Sequence, residues 1–201
     1  MKKRIFIAIN LPEKVKKRLK EYQEKFEYAP RATSAGEVLR GLSVRWTKSP
    51  SLHLTLIFIG YVSNEQMLEA CRVAREVASG VEPFFINFKS IVLGPQGKIP
   101  RMIWLEVAVS RELNELKKKL EEVLISRDAG LQKVESRLFD PHITLARIKM
   151  KQWRETQINP AEVEKKFEAQ FEVNSIEVME SDLKYDGAEY TALESCPLTE
   201  N

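Results

Sequence analysis

Apolar and polar positions alternate along this chain in two rhythms, one with the period of a strand and one with that of a helix. Arg4 to Asn10 carries a short, nearly continuous apolar run of Ile, Phe and Ala. Its length and its β-branched content predict a buried strand. Leu11, Val15, Leu19, Tyr22 and Phe26 then recur at three- and four-residue steps. They predict a helix opened by Pro12, where a missing N–H costs nothing. Residues 30–42 hold Gly36, Gly41 and small polar side chains, which predicts a loop. Val44, Arg45 and Trp46 read as a short extended piece ended by Pro50. The next strand runs to about Val62. Ser63 with Gln66 forms a capping-box signature. The helix it opens runs to about Ser79, with Met67, Cys71, Ala74 and Ala78 on its inner face.

The second half follows the same order. Phe84 to Leu93 predicts a strand, Gly94-Pro95-Gln96-Gly97 a turn, and Arg101 to Val109 another strand. Ser110 caps a helix whose inner stripe is Leu113, Leu116, Leu120, Val123 and Leu124, with Lys117-Lys118-Lys119 on its solvated side. A strand spans about Phe139 to Met150, and Asn159-Pro160 starts a shorter helix with Val163 and Phe167 inward. Phe171 to Lys184 reads as one strand or two, Asp186-Gly187 as a tight turn, Glu189 to Leu193 as a returning strand, and the tail from Ser195 as loose.

This order predicts an internal duplication, with approximate repeats at 4–100 and 101–195 and the 30–42 loop inserted in the first. The fold class is α+β: a single bilobal domain, 1–201, of two largely antiparallel sheets with helices outside and a groove between the lobes.

Composition narrows the function classes. Hydrophobic residues make up 43% and charged residues 30%, which fits a globular chain and argues against disorder. The net charge of +3 suits an anionic substrate but falls short of a nucleic-acid coat protein. Cys71 and Cys196 give neither a disulfide framework nor a zinc spacing, and predict free thiols in the cytoplasm. The apolar run from Ile5 to Ile9 after Met1-Lys2-Lys3-Arg4 is too short for a signal peptide or a membrane span. The expected protein is a cytoplasmic monomer without a membrane partner.

The chemistry lies in a repeated pattern. His53-Leu54-Thr55-Leu56 returns as His142-Ile143-Thr144-Leu145, and these are the chain's two histidines. On a strand, residues i and i+2 share a face. Each copy therefore presents one imidazole and one hydroxyl together, with aliphatic anchors behind. Two facing copies can divide proton transfer at one phosphorus, one imidazole taking a proton and the other giving one. Thr55 and Thr144 can hold the oxygens where negative charge grows. Arg101 and Arg147 are candidate phosphate contacts. Phe139 and Trp46 are candidates either for stacking a terminal base or for core packing. Two histidines without a shared Cys or carboxylate pattern fall short of a catalytic zinc site, so no metal and no cofactor is expected. Spacing alone assigns neither proton role, because the copies are nearly symmetric.

At these residues the chain resembles the two-histidine (2H) phosphoesterase superfamily, and within it the RNA 2′,3′-cyclic phosphodiesterase or 2′-5′ RNA ligase family. Arg4-Ile5-Phe6-Ile7-Ala8-Ile9 is similar to the family's opening strand, and Pro100-Arg101 to Trp104 to its central strand. Trp46, His53 to Leu56 and Phe58-Ile59-Gly60 resemble the first motif; Phe139, Pro141, His142 to Leu145 and Ala146-Arg147 resemble the second. The resemblance implies hydrolysis of an RNA terminal 2′,3′-cyclic phosphate to a 2′-phosphate, with His53 as proton donor and His142 as acceptor. It also implies 2′-5′ joining of tRNA halves, with RNA ends or nucleoside cyclic phosphates as partners. Rival expectations are a phosphodiesterase for cyclic ADP-ribose phosphate or 2′-5′ oligoadenylate, and a non-catalytic binder of RNA ends.

Overall fold

The computed structural model describes residues 2–27, 44–95, 97, 99–130, 139–148, 160–184 and 187–199. The expected 30–42 loop lies outside them. So do the two residues between the strands flanking the Asp186-Gly187 turn.

Strand β1 (Lys3–Asn10) leads to helix α1 (Glu13–Glu27), short strand β2 (Val44–Trp46), a 3₁₀ turn at Ser49–Ser51 and strand β3 (His53–Val62). Helix α2 (Asn64–Ala78) and strands β4 (Phe84–Gly94) and β5 (Met102–Val107) follow, then helix α3 (Arg111–Ser126) and strand β6 (His142–Ile148). Helix α4 (Pro160–Val163) precedes strands β7 (Lys165–Val173), β8 (Ser175–Lys184) and β9 (Gly187–Pro197).

The antiparallel sheet has the order β7-β4-β5-β6-β3-β1-β8-β9, with β2 added on β6. It consists of two four-stranded ladders that meet at one residue pair, Leu54 with Ile143. The two expected sheets are thus two wings of one hydrogen-bonded sheet. The wings are not the two halves of the chain. β4 leaves the first half to pair with β5, and β8 returns from the second half to pair with β1.

β1 is central to its wing and both its faces are covered from Ile5 to Ile9, which is why that stretch is apolar. Ile5, Ile7 and Ile9 enter the main core. Phe6 and Ala8 point to the opposite side, where they pack with Met179 and Tyr190. Helix α1 buries Val15, Leu19, Tyr22 and Phe26, and is fastened by Tyr22 Oη donating to the Val163 carbonyl at 2.6 Å. The Ser63–Gln66 capping box forms as expected. Beyond the expected inner face, α2 also buries Ala70, Val73 and Val77, where it packs on α3, β8 and β9.

Three expectations fail for tertiary reasons. Lys117 is buried rather than solvated, paired with Glu121 one turn on at 2.5 Å. Phe167 is inward but belongs to β7, not to a helix. The chain from Ser195 is not loose: β9 continues to Pro197, and Cys196 and Leu198 are buried.

Candidate active site

β3 and β6 lie side by side where the wings meet, and each carries one of the repeated patterns. Leu54, Leu56, Ile143 and Leu145 are buried, as the spacing requires. His53, Thr55, His142 and Thr144 face the other way and line one cavity of about 620 Å³. The expected groove therefore exists, and both motifs open into it.

The two imidazoles are held alike. His53 Nδ1 donates to the Ser51 carbonyl at 2.7 Å, and His142 Nδ1 donates to the Asp140 carbonyl at 2.8 Å. A carbonyl can only accept, so Nδ1 carries the proton in both rings and the neutral form presents its Nε2 lone pair. Thr55 Oγ1 lies 3.1 Å from His53 Nε2. Burial pushes both imidazoles below the ordinary value of 6.5, while their carbonyl partners pull the other way. At His142 the Asp140 carboxylate also raises the value and the Arg147 guanidinium lowers it.

Their aromatic surroundings differ. His142 stacks on Trp104, with centroids 3.9 Å apart and planes at 20°. Trp104 in turn sits where Gly94 has no Cβ; one added there would come within 2.3 Å of the indole. His53 lies between Phe6 at 4.9 Å and Tyr190 at 5.0 Å.

The sheet register explains which later residues reach the cavity. On β6, the pairing with β5 slips by one residue after Thr144, so a bulge at Leu145 turns Arg147 onto the face of His142 and Thr144. On β3, a slip after Thr55 does the same for Phe58. Arg147 lines the cavity as expected. Arg101 does not: it precedes β5, out of step with Met102 and Trp104, which do. Its backbone instead joins Gly94 and Ile148. Phe139 lines the cavity, under the Lys117 ammonium at 5.3 Å. Trp46 is not among the residues lining it; it stacks on Phe26 at 5.9 Å and meets Tyr22 edge-on, which is the packing alternative of its two expected roles.

Motif spacing does not reveal Phe6 and Tyr190, which flank His53, nor Arg4 and Ser181, which line the cavity further along β1 and β8. The even-numbered positions of β1 were a usable signal, since an apolar run with two covered faces must have a second neighbour. Among the described residues, no group of three or more His, Cys, Asp or Glu is placed to hold a metal ion. No helix among them is long and apolar enough to cross a membrane.

Two wings that each offer a His and a Thr to a shared cleft define a two-histidine phosphoesterase arrangement. The chain belongs to the 2′-5′ RNA ligase superfamily, whose profile matches residues 12–184. It is 30% identical over 155 residues to the RNA 2′,3′-cyclic phosphodiesterase of Aquifex aeolicus, covering 75% of this chain and 79% of that protein. The protein of the same name from Methanocaldococcus jannaschii is 28% identical, covering 73% and 72%. Among solved structures, TT0787 of Thermus thermophilus superposes with a TM-score of 0.77 at 26% identity over 97% of each chain. E. coli LigT complexed with 3′-AMP superposes with a TM-score of 0.73 at 23% identity over 100% of each, a likeness of fold.

Proposed function

We propose that this protein hydrolyses the 2′,3′-cyclic phosphate at an RNA end to a 2′-phosphomonoester, using His53 and His142 as its acid–base pair. The carrying observation is that two imidazoles, each fixed through Nδ1 to a backbone carbonyl two residues upstream, line one cavity. The names of the curated relatives support the substrate.

In the first step His142 Nε2 takes a proton from water as its oxygen bonds to phosphorus. The bond from phosphorus to the ribose 3′ oxygen breaks, and His53 Nε2 supplies the proton that oxygen needs. One proton enters the protein and one leaves, so the pair returns to its starting state by exchange with solvent. His53 as donor follows the family likeness, and the Thr55 hydroxyl 3.1 Å away can accept a hydrogen bond from its protonated ring. Thr55, Thr144 and Arg147 hold the non-bridging oxygens, where preorganised donors act most strongly. No step needs a metal. An RNA 5′-hydroxyl in place of water yields a 2′-5′ linkage by the same proton transfers.

The test is turnover of adenosine 2′,3′-cyclic phosphate (A>p) and of an RNA ending in a cyclic phosphate, in EDTA, with the product's regiochemistry read by phosphorus NMR. A 2′-phosphate that disappears in both His53→Ala and His142→Ala is expected. Undiminished activity in both variants, or a 3′-phosphate product, overturns the proposal.

A further inference from the structure

Arg147 and Phe58 occupy matching places. Each follows its histidine by five residues and is turned into the cleft by a one-residue slip after the Thr. One wing thus has a guanidinium at this place and the other a ring. The ring does not stand alone, because the Arg4 guanidinium lies over Phe58 at 4.6 Å from its centroid. The neighbouring strand therefore supplies the charge that β3 lacks, and each wing offers the cleft one arginine.

Among the described residues, no carboxylate is paired with Arg4. On the other face of β1, Lys3 has the Glu180 carboxylate at 2.7 Å. Arg4 has a neutral partner, donating from Nη1 to Ser181 Oγ at 2.9 Å. It is half-buried and lines the same cavity as the histidines. A guanidinium has five donors in a planar fork that matches two phosphate oxygens. The Ser181 bond and the Phe58 ring fix that fork's plane beforehand, so little of its freedom is left to lose on binding.

The ring of Phe6 is 4.9 Å from that of His53. Arg4 lies two residues further along β1 on the same face, and the backbone step from Phe6 to Arg4 is about 7 Å by strand rise. A step of that length is of the order of the separation between successive phosphates along an RNA strand. Resting on the cyclic-phosphate reading above, we infer that Arg4 binds the phosphate on the 5′ side of the terminal nucleoside. Arg4 is then a specificity-determining residue, through which the site selects an RNA end over a free nucleoside cyclic phosphate.

The experiment compares kcat/KM on A>p, its 5′-phosphorylated form pA>p and the dinucleotide ApA>p, for the wild-type protein, Arg4→Ala and Arg4→Lys. The dinucleotide preference of the wild type should fall about tenfold in Arg4→Ala, the effect of one charged hydrogen-bond pair, and be partly restored in Arg4→Lys. An equal loss on all three substrates would show a merely structural arginine and overturn the inference, as would an unchanged preference. Loss on ApA>p alone assigns the internucleotide phosphodiester; loss on pA>p as well assigns any phosphate there. Both support the subsite. Calorimetric binding of the product-like dinucleotide ApA 2′-phosphate separates this inference from the catalytic reading. Weaker binding by Arg4→Ala than by wild type upholds the subsite even if no cyclic phosphate is turned over, and equal binding overturns it.

Discussion

The His53 and His142 sites share a backbone and differ in almost everything around it. Both rings donate through Nδ1 to a carbonyl two residues upstream, and both are followed by a threonine on the same face. His53 then sits between Phe6, tilted at 33°, and Tyr190, nearly perpendicular at 81°, with Thr55 on its Nε2, while His142 lies flat on Trp104 with a carboxylate and a guanidinium nearby. The comparison separates two tasks. The shared part sets tautomer and direction, which any proton transfer needs. The unshared part sets how strongly each ring holds its proton, which is what distinguishes an acid from a base.

The strongest challenge to that division is removal of either ring. His53→Ala and His142→Ala should each lower kcat on a cyclic phosphate by about 10²–10⁴, the usual worth of a general acid or base. Steady-state rates from pH 4 to 9 check this. A loss confined to one variant would mean that the two sites are not partners in one reaction.

The threonines test the comparison more finely. Thr55→Val and Thr144→Val should each cost about a hundredfold in kcat if both hydroxyls meet the developing charge. Thr55 touches His53, whereas the Thr144 hydroxyl points to the Met102 sulfur at 4.0 Å. The pH profile should therefore move in Thr55→Val and stay in Thr144→Val.

Gly94→Ala acts on one site only. Its Cβ would collide with Trp104, the ring beneath His142, and overpacking of this kind costs about 1–3 kcal/mol. Thermal melting should show that loss, and proton NMR should show the His142 ring signals displaced with those of His53 in place.

The smallest effect is electrostatic. Each histidine is pushed below 6.5 chiefly by burial. The base is lost as pH falls through its value, and the acid is lost as pH rises through its own. With both values lowered in the free protein, kcat/KM should peak below pH 6.5. A bound phosphate anion favours the protonated acid, so kcat should peak at higher pH than kcat/KM. Asp140→Asn removes a group that raises His142, and should lower that ring's titration midpoint while leaving His53 unmoved. Two histidine signals make this a direct NMR titration.

Much of the site was legible because it depends on short-range geometry. A His and a Thr two residues apart on a strand must share a face, and alternate leucines must take the other. The same periodicity located both motif strands, the capping box at Ser63 and the inner stripe of α3. It also accounts for Arg101, a candidate phosphate contact that stands one position out of step with Met102 and Trp104 on the cleft face of β5. Period-2 counting puts Arg147 on the wrong face until the slip after Thr144 is added, so its place in the cavity wall was not legible from spacing.

Long-range pairing accounts for the rest. Which strand lies beside β3 is a matter of competing registers and loop closures across the whole chain, and composition is silent on it. Hence Arg4, far from both motifs in sequence, comes to stand over Phe58, and Tyr190 beside His53. Lys117 alone of three consecutive lysines has a helical phase that points inward; Glu121 one turn on meets its charge, and the Phe139 ring, which only folding brings there, lies beneath it. The motif pairs, their faces and their anchors follow from local periodicity, because a strand fixes direction within two residues. The single cleft, its second arginine and the unequal surroundings of two equal histidines follow from how β1, β8 and β9 pack beside β3, because side-chain fields depend on neighbours that the chain reaches only by folding.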